Sequence, residues 1–147
     1  MDVDVLTETE IDRPRDEVAD FAADPDNATS WYRNISSVAW QSPKPLAVGA
    51  KIDFVAEFLG RRIAYTYEVR ELDPGRRLVM STADGPFAME TTYEWSDAPG
   101  GKTLMRLRNR GRPSGFGSIM APAMKAAMRR ANRGDLARLK RLLEEPG

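Results

Sequence analysis

From Val3 to Ile11 the chain alternates: Val3, Val5, Thr7, Thr9 and Ile11 share one parity, Asp2, Asp4, Glu8, Glu10 and Asp12 the other, and Leu6 is the exception. A period of two predicts a strand with one face covered and one wet. Pro14 then suits a first helical turn, Asp16 and Glu17 favour its positive end, and Val18, Phe21 and Ala22 supply a short apolar face that Pro25 stops. A second short helix is expected from Pro25 to Trp31. Asp24, Asp26 and Asn27 superficially suggest a calcium loop, but the remaining ligands, the turn glycine and the closing glutamate are absent, so capping is the better reading.

From Ile35 onward the pattern predicts successive strands separated by turn chemistry. They run over Ile35 to Trp40, Lys51 to Phe58, Arg62 to Leu72, Arg77 to Ala83, Phe87 to Ser96 and Lys102 to about Arg110. Leu59-Gly60-Arg61, Asp73-Pro74-Gly75, Asp84-Gly85-Pro86 and Pro99-Gly100-Gly101 are the reversals, and Ser42 to Gly49 is a loop. With the first strand this makes seven, and strands joined by such short turns pair antiparallel as a meander. One parity gathers Ile52, Phe54, Phe58, Tyr65, Tyr67, Val69, Leu78, Met80, Phe87, Met89, Thr91, Tyr93, Trp95, Met105 and Leu107. The other is mostly charged. Glu90 and Glu94 on one strand and Arg106 and Arg108 on the next read as cross-strand pairs on an exposed face rather than as a catalytic carboxylate pair.

Near the C-terminus the period changes to that of a helix. Ser118 can cap its start, and Ile119, Met120, Ala123, Met124, Ala127, Met128 and Ala131 recur on one side. Past Gly134 the apolar positions become Leu136, Leu139, Leu142 and Leu143, rotated by about a quarter turn on a wheel of roughly 100° per residue, so the two halves are expected to face different surroundings. A helix of about 26 residues is about 39 Å long and needs something wide to lie across, which the strands provide.

At 147 residues the chain is expected to be one domain, 1–147. No signal peptide or apolar run of membrane-spanning length is seen, so a soluble cytoplasmic protein is the default. The sequence holds no Cys and no His, which excludes disulfides, thiolate nucleophiles, Ser-His-Asp triads and ordinary zinc sites, and no metal or other cofactor is expected. The zero net charge is unevenly divided: residues 1–101 carry 10 Lys/Arg against 19 Asp/Glu, and residues 102–147 carry 12 against 3. Lys125, Arg129, Arg130, Arg133, Arg138, Lys140 and Arg141 make a basic helix face. It reads first as a solvated face; transient contact with a membrane surface stays open, and nucleic acid is not expected because interleaved aromatics are missing. The glycine-rich run Gly111 to Ser118 lacks the lysine and hydroxyl of a phosphate loop and fits a hinge better.

Several segments together resemble the START-like superfamily, also called SRPBCC or the polyketide cyclase/dehydrase and lipid transport group. They are Ile11-Asp12-Arg13-Pro14 leading to Glu17-Val18 and Phe21, Asp24-Pro25 before Trp31, and Val48-Gly49-Ala50-Lys51. Arg70 to Leu78, Gly100-Gly101-Lys102-Thr103 and the closing helix from Leu136 to Leu143 complete the pattern, which spans essentially the whole chain. The resemblance implies an α+β helix-grip fold, a curved seven-stranded antiparallel sheet around the long C-terminal helix, with an apolar cavity between them. It implies no single chemistry, because relatives bind lipids, polyketides or hormones and only some are catalysts.

The inward methionines admit two readings, adaptable filling of a core or the wall of a cavity. On the second, Phe54, Tyr65, Tyr67, Met80, Met89, Tyr93, Met105, Met120 and Met124 converge on a ligand, with Tyr65, Tyr67, Thr91, Tyr93 and Asn109 supplying polar points. Trp31 and Phe21 are expected to close one side. The leading expectation is a binding module for a small hydrophobic molecule: lipid, aromatic or polyketide-like. The alternatives are a metal-independent cyclase or dehydratase acting in the same cavity, with Tyr65, Tyr67, Tyr93 or an inward Arg as the weak candidates for acid or oxyanion partner, and a partner-binding, co-chaperone-like module. The sequence sets neither the ligand nor the oligomeric state.

Overall fold

The computed structural model describes residues 3–58, 60–85, 88–112 and 121–145. Readings placed on Phe87, on the run from 113 to 118, and on Ser118, Ile119 and Met120 lie outside them. The order is β1 (Val3–Ile11), α1 (Arg15–Ala23), a 3-10 turn (Pro25–Asn27), α2 (Ala28–Trp31), β2 (Ile35–Trp40), β3 (Lys51–Phe58), β4 (Arg61–Asp73), β5 (Arg77–Asp84), β6 (Ala88–Ala98), β7 (Lys102–Arg112) and α3 (Ala121–Glu144).

The strands form one antiparallel sheet in the order β1-β7-β6-β5-β4-β3-β2: a meander from β2 to β7, with β1 added beside β7. Register shifts leave Ser36 on β2, Arg70 on β4 and Ala83 on β5 as extra, unpaired residues. Such bulges bend a sheet, here into the curved half-barrel in which α3 lies. In the β4–β5 turn Gly75 is buried with φ 79°, a left-handed conformation that favours glycine, and a Cβ there would lie 2.8 Å from the Asp16 carboxylate, which would have to swing aside.

The covered face forms one core in which Ile11, Val18, Trp31, Ile52, Leu78, Leu107, Leu136 and Leu139 are almost wholly buried. Each such side chain contributes on the order of 2 kcal/mol of transfer free energy. Trp31 is sealed inside, while Phe21 is only partly buried against the core.

On the outer face, Glu90 bonds Arg110 and Glu94 bonds Arg77 at 2.6 Å. Arg106 and Arg108 instead reach Glu8 and Asp4 on β1, at 3.1 and 2.7 Å. The register does set Glu94 opposite Arg106, as expected, but the ion pairs themselves differ: Glu90 takes Arg110, Glu94 takes Arg77, and Arg106 and Arg108 turn to β1. β7 lies between β6 and the acidic outer parity of β1, so its arginines have a second set of carboxylates to choose from.

The helix also differs from its sequence reading. Met124, Asn132, Asp135, Leu136 and Leu139 are buried and Met128 is partly so, whereas Ala123 and Leu142 are exposed. The two halves face different surroundings as expected, Met124 and Met128 packing with Val3, Val5 and Phe58, and Leu136, Leu139 and Leu143 with the main core. Asn132 and Asp135, at steps of four and three from Met128, nevertheless join them into one buried stripe. Two polar members hide it from a count of apolar residues. At the far end, Glu144 Oε2 accepts hydrogen bonds from the Asp12 backbone N–H at 2.8 Å and from Lys140 Nζ at 2.7 Å, fastening α3 to the end of β1. Among the described residues, no helix is long and apolar enough to cross a membrane.

Candidate functional site

Where α3 spans the sheet, the packing is incomplete. A cavity of about 160 Å³ lies between the inner faces of β3 to β7, the N-terminal half of α3 and the α1–α2 connection. Of the nine residues expected at a ligand site, Phe54, Tyr65, Tyr67, Met80, Met89, Tyr93 and Met124 line it. Met105 does not: it is fully buried in the core, opposite Trp95 on β6 and Thr9 on β1. The cavity wall meets β7 at Asn109 to Arg112, and four residues of strand put Met105 about 14 Å away along the chain. Parity assigns it the right face but carries no information about position along the strand. Met120 lies outside the described residues.

The walls follow from local geometry. Phe54 on β3 stands opposite Tyr65 on β4, with ring centroids 5.5 Å apart and nearly stacked; Tyr67, two residues on, meets Tyr65 edge-on at 5.0 Å. These arrangements suit aromatic quadrupoles and leave a rigid apolar panel. Met80 and Met89 extend it along β5 and β6, and Met124 faces it from α3 beside Val3 and Val5.

Three groups give this lining polarity. On the floor, the Tyr67 hydroxyl lies 2.8 Å from Thr91 Oγ1, which donates to Asn109 Oδ1 at 2.6 Å. At one side the Tyr32 and Tyr93 hydroxyls lie 2.5 Å apart, tying the residue after α2 to β6. On the helix, Asp135 accepts the Arg33 backbone N–H at 3.0 Å, while Asn132 Nδ2 is buried without a partner among the described residues. Tyr32, Asn132 and Asp135 all line the cavity, and sequence reasoning misses them. Spacing from Met124 contains the signal for the last two; Tyr32 gives none beyond its neighbour Trp31.

Burial governs the electrostatics. Desolvation raises the Tyr32, Tyr65 and Tyr93 phenols well above their ordinary value and the Tyr67 phenol to about 12. The same cause lifts Asp135 to about 6, against the opposing Arg33 N–H bond and the more distant Arg138 and Arg33 charges. At neutral pH the site therefore presents neutral phenols and a raised carboxyl, Asp135, while Asp24, Arg110 and Arg112 also stand in its lining. Among the described residues no group of three or more candidate ligands for a metal is found.

Residues 2–144 match the family model described as polyketide cyclase / dehydrase and lipid transport. No curated protein matches the sequence. Among solved structures, a START superfamily protein from Mycobacterium smegmatis superposes with a TM-score of 0.83 at 12% identity, over 96% of this chain and 97% of that one. The ZhuI aromatase/cyclase from Streptomyces sp. R1128 gives 0.80 at 17% identity, over 98% and 94%. The protein TTHA0849 from Thermus thermophilus gives 0.79 at 20% identity, over 93% and 94%. At these identities the likeness is one of fold.

Proposed function

The chain belongs to the polyketide cyclase/dehydrase and lipid transport family, and on that premise we propose that it binds one small hydrophobic molecule in the cavity between sheet and α3. The observation that supports this reading most is the cavity itself. A well-packed interior leaves few voids larger than a water molecule, yet the aromatic and methionine side chains here line a partly open cavity of about 160 Å³. An apolar wall with a few fixed polar points is what small-molecule sites have in common. A lone engineered void of about 150 Å³ is enough to take up benzene, so the space suits a ligand of about one ring. Native mass spectrometry of protein purified from its own host tests the proposal: a stoichiometric copurified apolar molecule supports it, and a bare chain that also takes up no added aromatic contradicts it.

A second reading, catalysis of a cyclisation or dehydration in the same cavity, is favoured by one observation: a buried carboxyl, Asp135, titrating near 6 in a wall that also holds the Tyr32–Tyr93 pair. One of the similar structures is an aromatase/cyclase. On this reading Asp135 exchanges a proton with a ligand whose reacting carbon is held by the apolar walls. Turnover of a poly-β-ketone mimic that is unaffected by chelators and lost in Asp135→Asn would support catalysis over binding alone.

A further inference from the structure

The hydrogen-bond chain on the cavity floor has a direction. A threonine hydroxyl carries one proton, and Thr91 spends it on Asn109 Oδ1 at 2.6 Å. The contact between Thr91 Oγ1 and the Tyr67 hydroxyl, at 2.8 Å, then requires Tyr67 to be the donor. A phenol also carries one proton, so the Tyr67 oxygen keeps only lone pairs for anything else it meets. All three residues line the cavity, and β-sheet register locks two of them, since Thr91 and Asn109 stand directly opposite each other on β6 and β7.

From this polarity we infer that the cavity selects a ligand hydroxyl: Tyr67 accepts a hydrogen bond from the ligand, Thr91 and Asn109 hold Tyr67 in the accepting state, and the ligand class is a neutral one-ring phenol. The inference rests on the binding proposed above and names what that site takes. Three further observations shape it. The volume, about 160 Å³, fits one ring. The stacked Phe54–Tyr65 pair and the Met80 and Met89 side chains offer flat, polarisable walls for it. The charges in the lining are mixed, Asp24 and Asp135 on one side and Arg110 and Arg112 at the β7 end, so the hydroxyl-accepting Tyr67 rather than net charge sets the selection. A donor chain running away from the ligand also strengthens each successive acceptor, so a phenol gains more here than at an isolated tyrosine. Thr91 and Asn109 are thus positioning residues, acting through Tyr67.

Calorimetric titration at pH 7 with p-cresol, 4-methylanisole and toluene tests this directly. The three share a shape, but only p-cresol can donate. The wild-type chain should bind p-cresol about tenfold or more tightly than 4-methylanisole. In Thr91→Val the Tyr67 proton is released to the cavity, where it can serve the ether oxygen, and the ratio should fall to within about twofold. In Tyr67→Phe the acceptor is gone and the ratio should collapse in the same way, so a failure of the valine variant to fold leaves a second arm. Tyr65→Phe removes the neighbouring phenol as an alternative donor to the ether, and there the preference should be at least as large as in wild type. Equal binding of all three compounds by the wild type would overturn the hydroxyl selection while leaving a binding cavity in place. No binding of any of them would overturn both. A preference that survives Tyr67→Phe would place the selecting group elsewhere and overturn the assignment.

Discussion

The hydroxyls of Tyr32 and Tyr93 lie 2.5 Å apart, a direct bond between the residue that follows α2 and the centre of β6. With Tyr65 and Tyr67 these are all 4 tyrosines of the chain, and each is held neutral by burial. In the unfolded chain they titrate near their ordinary value of about 10. A raised folded pKa means that the native state holds protons that the unfolded state has lost, so stability is intact below pH 10 and declines above it. Absorbance at 295 nm should therefore show no tyrosinate in the native protein up to about pH 10.5, then one cooperative rise that coincides with loss of the far-UV circular dichroism signal. Gradual ionisation of Tyr67 and Tyr93, the two most deeply buried of the four, in the folded protein would contradict the desolvation that raises them.

Asp135 acts in the same sense at acid pH. Its folded pKa of about 6 lies above the ordinary carboxyl value, so native stability from this group is fully present below about pH 4 and is lost between about 4 and 6. Asp4, Asp26 and Glu144 are shifted down by Arg108, by Lys44 with Trp40, and by Lys140 with the Asp12 N–H, and they act in the reverse sense near pH 4. Asp135→Asn keeps an oxygen for the Arg33 N–H and removes the charge. It should stabilise the protein at pH 7 by about 2 to 3 kcal/mol, the cost of holding this buried carboxylate ionised, and by nearly nothing at pH 4. Urea unfolding at the two pH values measures the difference, and a gain of equal size at both would show that charge is not the cause.

Asn132 puts an unpartnered amide nitrogen in the wall of an apolar cavity. A buried donor without a partner costs about 1 to 3 kcal/mol, and leucine at the same point on α3 removes it. Asn132→Leu should raise the urea midpoint by the equivalent of about 1 kcal/mol while weakening ligand uptake. If the variant is instead less stable, the amide has a partner in the native protein and its role in the site falls away.

The seven strands, their turns and the long helix are legible because alternation with period two and glycine turns are local properties of the sequence. Which inward residues meet the cavity is legible only in part. Tyr65 and Met80 reach it and Met105 does not, since parity fixes a face while the position of the void along a strand depends on where α3 rests. Asn132 and Asp135 escape for a different reason. They occupy the buried stripe at helical spacing from Met124, but a search for apolar residues discards them, and polar groups in such a stripe are what a binding site needs. The ion pairs of β7 cannot be assigned locally, because antiparallel order alone does not say that β1 closes the sheet beside it.

The methionine methyl groups report on the cavity most directly. Met80, Met89, Met124 and Met128 line it, and Met105 lies in the packed core, an internal control in the same spectrum. In protein labelled with ¹³C at the methionine methyls, titration with toluene should shift the resonances of Met80, Met89, Met124 and Met128 along one saturable curve and leave Met105 in place. Ring currents decay within a few ångströms, so the pattern locates the ligand as well as detecting it. If the four lining resonances stay fixed at saturating toluene, or if Met105 moves as far as they do, no ligand enters between the sheet and α3, and small-molecule binding at this site is contradicted.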